Sequence, residues 1–383
     1  MTRSLLPLRD ILVADFSRVL AGPLCTQLLG DAGARVIKIE EPERGDETRR
    51  WGPPFINGVS AYFLAVNRNK ESVALDLKSA WGRRVAKELI ERADIVVDNF
   101  LPAQRKKLGF ENIRRRNPRV IHCSISGYDS DTSEANTPGY DLLAQASSGL
   151  MAITGEPDGD PMKVGVALAD VLTAHHAAGA ICAALYAREK TGKGARIEVS
   201  LFSAAVSSLV NVAQNALITA GEPARWGNAH ASIVPYQLFH GSDRAFAVGA
   251  GTDRHFQSLC RDVLDRGDLA SDARFATNAS RVEHRDVLVG LLDTAFRSRR
   301  AAEWIERCRR ASIPAALVQG VGEALKSEPG RALVVSVDHA EAGRYDAVGS
   351  PILFSGRRFP IRSAPPLLGE HTAGVLRELG ITS

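Results

Sequence analysis

The sequence predicts an α/β protein: a parallel, doubly wound sheet over roughly the first 200 residues, followed by a smaller α+β unit. Three observations predict it. Short β-rich apolar runs alternate with helix-period segments through the first half. Composition shifts after about residue 225, where a hairpin is followed by clustered helices. A chain of 383 residues, 45% hydrophobic and 24% charged, is long enough to bury more than one core.

Taken in order, DILVADFS (10–17) reads as a strand, GPLCTQLLGDAGA (22–34) as a helix and RVIKIE (35–40) as a strand, which is one βαβ unit. It continues with SVALDL (72–77), the amphipathic SAWGRRVAKELIERA (79–93), IVVDNF (95–100), a basic helix over 102–116 and RVIHCSIS (119–126). The helix VLTAHHAAGAICAALYAREK is stopped by TGKG (191–194), and the strand ARIEVSL follows. SIVPYQLFHGSDRAFAVGAG predicts a hairpin turning at GSDR, with helices in DRHFQSLCRDVL, SRVEHRDVLVGLLDTAF and AAEWIERCRRA. The tail APPLLGEHTAGVLRELGI is expected to return to the first domain. The expected divisions are 1–224, 225–330 and 331–383. A doubly wound sheet binds its ligands at the carboxyl ends of its strands.

Several function classes lose support. The net charge of +4 is mild and does not suggest a nucleic-acid binder. RKK (105–107) and RRR (114–116) are local basic clusters, readable as a solvated helix face or as a contact for a phosphate-bearing anion. The five cysteines are far apart and never form C-x-x-C, which argues against disulfides and zinc and predicts buried thiols. No secretory pattern opens the chain and no run reaches the roughly 18–20 apolar residues of a membrane span, so a cytoplasmic protein without a membrane partner is expected. SRVLAGP is not G-x-G-x-x-G, GKG (192–194) lacks Walker spacing, and neither H-E-x-x-H nor G-x-S-x-G occurs, which leaves no support for a nucleotide redox cofactor, a metal or a serine-hydrolase elbow. His175 and His176 are adjacent on a helix and do not converge on one ion.

The residue that stands out is Asp170, an acid among small apolar residues in GVALADVLTAHHAAGA. Two readings fit the local sequence and can coexist. Asp170 can cap a helix beginning at Val171. It can also act as a covalent nucleophile, since a carboxylate in a water-poor pocket can attack an activated acyl carbon.

Along essentially its whole length the chain resembles the family III CoA-transferases (CaiB/BaiF type). The resemblance is carried by DFSRVLAGPLCTQLLGDAGARVIKIE, GDETRRWGPP, NRNKESVALDLK, ADIVVDNF, GYDLLAQASSGLMAITG, GVALADVLT, TGKGARIEVSL and PPLLGEHT. RWGPPF and RWGNAHASIVPYQLF look most like the branch that includes succinyl-CoA:glutarate CoA-transferase. The resemblance implies a Rossmann-type large domain, a smaller inserted α+β domain and an interlocked homodimer. It implies that Asp170 is the nucleophile, that Arg18, Val19, Leu20 and Ala21 lie beside CoA, and that Leu75, Asn99 and Lys107 are further CoA contacts. It places Tyr140 at an active-site position. It also implies an acyl-CoA donor, with coenzyme A as co-substrate, and a carboxylic acid acceptor.

Departures from related patterns narrow the choice. Acyl-CoA racemases have a histidine base where this chain has Tyr140, which removes one partner of a two-base proton exchange. Formyl-CoA:oxalate transferases carry a glycine run where this chain offers GAGTDRHF, and a His and a Gln where it has Arg18 and Leu20. Acceptor acids other than glutarate (carnitine, citramalate or oxalate) stay open. For the far carboxylate of a dicarboxylate, Arg225 or His230 in RWGNAH is the expected ligand, because a guanidinium holds a carboxylate by two hydrogen bonds. The alternative is that these residues pin a domain junction.

Overall fold

Successive side chains of a strand point to opposite faces, and the first strand here is apolar on both. In β1 (Leu12–Asp15) Val13 joins one core and Ala14 another. The same split runs through β2 (Arg35–Glu40), with Val36 against Ile37, and β6 (Ile95–Asp98), with Ile95 and Val97 against Val96. A strand buried on both sides belongs to a sheet covered on both sides. In this computed structural model, which describes residues 6–381, that sheet has six parallel strands. Its order is β5-β2-β1-β6-β7-β8, completed by β5 (Lys70–Ala74), β7 (Ile121–Ser126) and β8 (Arg196–Ser200). β1 pairs with both β2 and β6, so the winding reverses between β1 and β6.

The covering helices follow the expected pattern, with local departures. α1 (Ala21–Asp31), α6 (Asp141–Ser147), α7 (Leu168–Thr191) and α8 (Leu201–Ser207) supply apolar residues to one face. α3 (Ala80–Arg92), α5 (Ile113–Arg116) and α17 (Thr372–Glu378) supply the other, so the tail does pack on this core. α3 is capped by Ser79, whose hydroxyl accepts the Gly82 N–H at 2.9 Å. The basic helix expected over 102–116 is broken. α4 (Pro102–Leu108) ends at Gly109 in the left-handed region, and one 3-10 turn separates it from α5. β5 lies two residues earlier than the SVALDL run suggests. α7 closes at Gly192 (φ 70°), within the expected TGKG turn. By length and composition α7 would pass as a membrane span, but Ala169, Thr173, Ala177, Ile181 and Leu185 form a buried stripe on it.

The chain divides into two units. The first takes the segments up to Met151 and from Glu328, together with Lys163–Gly221. The second takes Glu222–Ser327 and also the strap Ala152–Met162, which the sequence reading did not separate. In the second unit β9 (Tyr236–His240) and β10 (Ala245–Gly249) form the expected hairpin, and β11 (Ala315–Leu317) pairs with β10. Phe239, Phe246, Phe296 and Trp304 fill its core. Arg281 is fully buried there and neutralised locally: it donates to the carbonyls of Val234 (2.7 Å) and Phe275 (3.0 Å) and to Asp253 (2.8 Å). The helix expected in DRHFQSLCRDVL is α10 (Asp253–Ser258) followed by a π-turn over Leu259–Val263, and SRVEHRDVLVGLLDTAF is interrupted at His284. All five cysteines are unpaired, and Cys182 is exposed rather than buried as expected.

Candidate active site

The turn leaving β1 is organised by the acid that ends it. Asp15 is fully buried, accepts the Ser17 N–H at 3.0 Å and the Thr26 hydroxyl at 2.6 Å, and pairs with Lys70 at 3.2 Å. Across the switch point, the side chain of Asn99 grips the backbone of Arg18. Its Oδ1 accepts the Arg18 N–H at 3.1 Å and its Nδ2 donates to the Arg18 carbonyl at 2.8 Å. The two strand ends that flank the winding reversal are thus tied together. α1 starts hard against this turn at Gly22, where a Cβ would sit 2.2 Å from that of Ser17, so only glycine fits.

Between them Val19 adopts φ 72°, a conformation that costs a β-branched residue about 1–3 kcal/mol. Its N–H is accepted by the Asp46 carboxylate at 3.2 and 3.3 Å. Lys38, on β2, donates to Asp46 at 2.8 Å and to the Ser17 carbonyl at 2.9 Å, and both ionic side chains are fully buried. Burial pushes the Asp46 carboxyl up, but the Lys38 ammonium and the Thr48 donors outweigh it and hold the group at about 2.

Asp170 is not the helix cap. α7 begins two residues earlier, at Leu168, with Ala167 as its N-cap residue. The end of the helix is served instead by Asp141, whose Oδ1 accepts the Ala169 N–H at 2.8 Å. Asp170, in the first turn, is left facing a cavity of about 240 Å³ that Arg18, Val19, Ala21, Asn99 and Tyr140 also line. Burial first, and then the negative charge of Asp141, push its carboxyl from 3.8 up to about 7, and the nearby Ala21 N–H pulls the other way. This carboxylate has been moved toward neutrality by its surroundings, which is common where a group has chemical work to perform.

Other expected contacts fall elsewhere. The Leu75 side chain is 2% exposed and packs in the core with Phe16 and Ile37, and Leu20 is likewise buried, so neither side chain lines the cavity. Lys107 is exposed on α4 and does not line it either. Arg225 is engaged within the second unit: its guanidinium donates to the carbonyls of Glu156 (3.1 Å), Ala152 (3.2 Å) and Gly159, fastening the strap. His230 accepts the Ser232 N–H at 3.1 Å on Nδ1 and packs edge-on against Tyr236. The residues that sequence reasoning missed are Asp141, Lys38, Asp46 and Glu47. Asp46 and Glu47 lay in the quoted GDETRRWGPP without a role, and Asp141 immediately follows Tyr140. Among the described residues, no group of three or more His, Cys, Asp or Glu is arranged to hold a metal ion.

A doubly wound parallel sheet without the dinucleotide glycine fingerprint, with a half-buried carboxylate facing the cavity at its switch point, makes this an α/β protein with a candidate active site there. Comparison with known proteins makes the assignment: the family profile of CoA-transferase family III matches residues 8–372, and the chain belongs to that family. It is 41% identical over 98% of its length, and 87% of the relative's, to succinyl-CoA:glutarate CoA-transferase of Mus musculus. It is 38% identical to succinate–glutarate CoA-transferase of Agrobacterium fabrum (97% and 96% of the two chains) and 38% identical to acetyl-CoA:oxalate CoA-transferase of Acetobacter aceti (97% and 95%). A crystal structure of a CaiB/BaiF family protein from Brucella suis matches with a TM-score of 0.86 at 38% identity, covering 98% of this chain and all of that one.

Proposed function

We propose that this enzyme moves CoA from succinyl-CoA to a dicarboxylic acid of the glutarate class, with Asp170 as the covalent carrier. The observation that carries the mechanism is a carboxylate facing the switch-point cavity, raised toward neutrality by burial and by Asp141, on a wall it shares with Ala21. The similarity to glutarate transferases across nearly the whole chain supports the substrate class. The similarity to an oxalate transferase supports a second reading in which the acceptor is a shorter diacid.

Transfer between two carboxylates is nearly thermoneutral, so a third carboxylate can hold each group in turn without ATP. The ionised Asp170 attacks the donor thioester carbonyl, the C–S bond breaks, and an aspartyl mixed anhydride and CoA thiolate result. The thiolate attacks the aspartyl carbonyl and releases succinate, leaving an aspartyl-CoA thioester. The acceptor carboxylate attacks that carbonyl to form a second anhydride and thiolate. The thiolate then takes the acceptor acyl group and regenerates Asp170. In the two middle steps the charge develops on an Asp170 oxygen, and the Ala21 N–H, at the start of α1 on the same cavity wall, is the nearest backbone donor candidate. A donor so placed contributes about 3–4 kcal/mol to such a step.

The cavity offers polar groups to the thioester end of CoA. Its walls include Arg18, Asn99 and Tyr140, and also Glu47, whose Oε1 takes Arg18 at 2.6 Å while its buried Oε2 has no protein partner. That oxygen can accept an N–H from a bound molecule, and pantetheine carries two amides. The homodimer belongs to the same reading. Val210, Leu217 and Ile218 are 70–79% exposed, and no residue of α9 (Asn211–Thr219) is buried, an apolar surface that a second copy would cover. An acceptor panel with succinyl-CoA, read as acyl-CoA products by mass spectrometry, tests the assignment. Glutaryl-CoA should form only when both succinyl-CoA and glutarate are present. A panel in which no diacid is converted would overturn it.

A further inference from the structure

We propose that the buried Lys38–Asp46 pair is a positioning device for the nucleophile: it holds the Ser17–Val19 turn in its left-handed conformation, and so fixes the direction of the Ala21 N–H toward Asp170. The proposal rests on the reading of Asp170 as the covalent carrier.

The geometry is continuous. Lys38 Nζ holds the Ser17 carbonyl on one side of the turn, and Asp46 holds the Val19 N–H on the other. The two are joined at 2.8 Å with no exposure to solvent. Asp46 is itself fixed by the Thr48 N–H (3.0 Å) and hydroxyl (2.7 Å), and its own N–H donates to Glu40 at 3.0 Å. Glu40 is in turn held by Arg49 at 2.7 Å. Valine at φ 72° would relax if its N–H were released, because the left-handed region is unfavourable for a β-branched side chain. Ala21 opens α1 two residues later, and Gly22 already sits in contact with Ser17. A rotation at Val19 therefore turns the first N–H of α1 away from Asp170. A charged acceptor holds a backbone N–H more strongly than a neutral one, which suits a turn that must be kept under tension.

The test uses the full-length enzyme. Asp46→Asn alone leaves a buried lysine without its counter-charge and can fail to fold. Lys38→Met with Asp46→Ala removes both charges and leaves the Val19 N–H without a side-chain acceptor. The folded double variant should lose at least tenfold in kcat, with KM for the acyl-CoA changed less than threefold. Its acid limb in the pH–rate profile should move upward, because Asp170 loses the Ala21 N–H. Adding Val19→Gly, which tolerates positive φ without restraint, should recover part of kcat. A folded double variant with wild-type kcat and an unmoved acid limb would overturn the proposal, as would a loss of kcat that Val19→Gly leaves untouched. Hydroxylamine trapping separates this from the underlying reading. If the wild-type enzyme is not labelled at Asp170, the carrier assignment fails; if wild type and double variant are labelled at equal rates, only the positioning role falls.

Discussion

Asp141 accepts the Ala169 N–H at 2.8 Å, one residue before the candidate nucleophile, and thereby caps the helix that Asp170 would otherwise have capped. The same carboxylate is the charge that, after burial, raises the pH at which Asp170 ionises. Asp141→Asn keeps an oxygen for the Ala169 N–H but removes the charge. The acid limb of kcat/KM should therefore shift below its wild-type position near 7, while stability falls by about 0.5–1 kcal/mol through the weakened cap. A pH–rate profile of the two enzymes checks this; an unmoved limb would show that Asp141 does not tune the site.

Asp170 is also predicted to be a liability to the fold. An unfolded carboxyl titrates near 3.8 and the folded one near 7, so between those values the native state binds more protons than the unfolded one. Stability contributed by this group therefore falls as pH rises from about 4 to about 7. Asp170→Asn removes the penalty. At pH 8 the variant should be more stable than wild type, by up to about 4 kcal/mol, and without transferase activity. At pH 4 the gain should vanish. Thermal melts at both values decide it, and an equal gain at the two pH values would exclude the titration as its cause.

Arg225 was expected at the acceptor, yet three carbonyls of the strap occupy its guanidinium. Arg225→Ala should lower the melting temperature, and it should reduce turnover of a dicarboxylate and of a monocarboxylate of equal length by the same factor. A loss confined to the dicarboxylate would return Arg225 to the acceptor site.

The exposed apolar residues of α9 predict a stable association between two copies. Sedimentation should give a dimer whose fraction does not fall on dilution to nanomolar concentration, as the proposed interlocked dimer requires. Replacing Leu217 and Ile218 by Glu should lower its thermal stability. A monomer in the wild type would contradict the proposed dimer.

What could be read from the sequence was what has a period or a pattern. Runs such as RVIKIE and IVVDNF alternate with helix-period segments, and that alternation predicts a parallel, doubly wound sheet. Asp170 stands out as an acid among small apolar residues, although the local sequence leaves both a helix cap and a nucleophile open. The network behind it was invisible for the opposite reason. Lys38 alternates with apolar neighbours in β2 as any half-exposed strand residue would, and its partner Asp46 lies in an unpatterned turn. Only tertiary pairing shows that both are buried. The cap was missed similarly: a helix start is read from adjacent residues, and Asp141 reaches Ala169 from 28 positions away.

The most direct measurement is the site of covalent attachment during turnover. Incubating the enzyme with succinyl-CoA, quenching with hydroxylamine and mapping peptides by mass spectrometry should give a hydroxamate on Asp170 and nowhere else, formed only when the thioester is present. Turnover with an unmodified Asp170, or an adduct on another residue, would contradict the account.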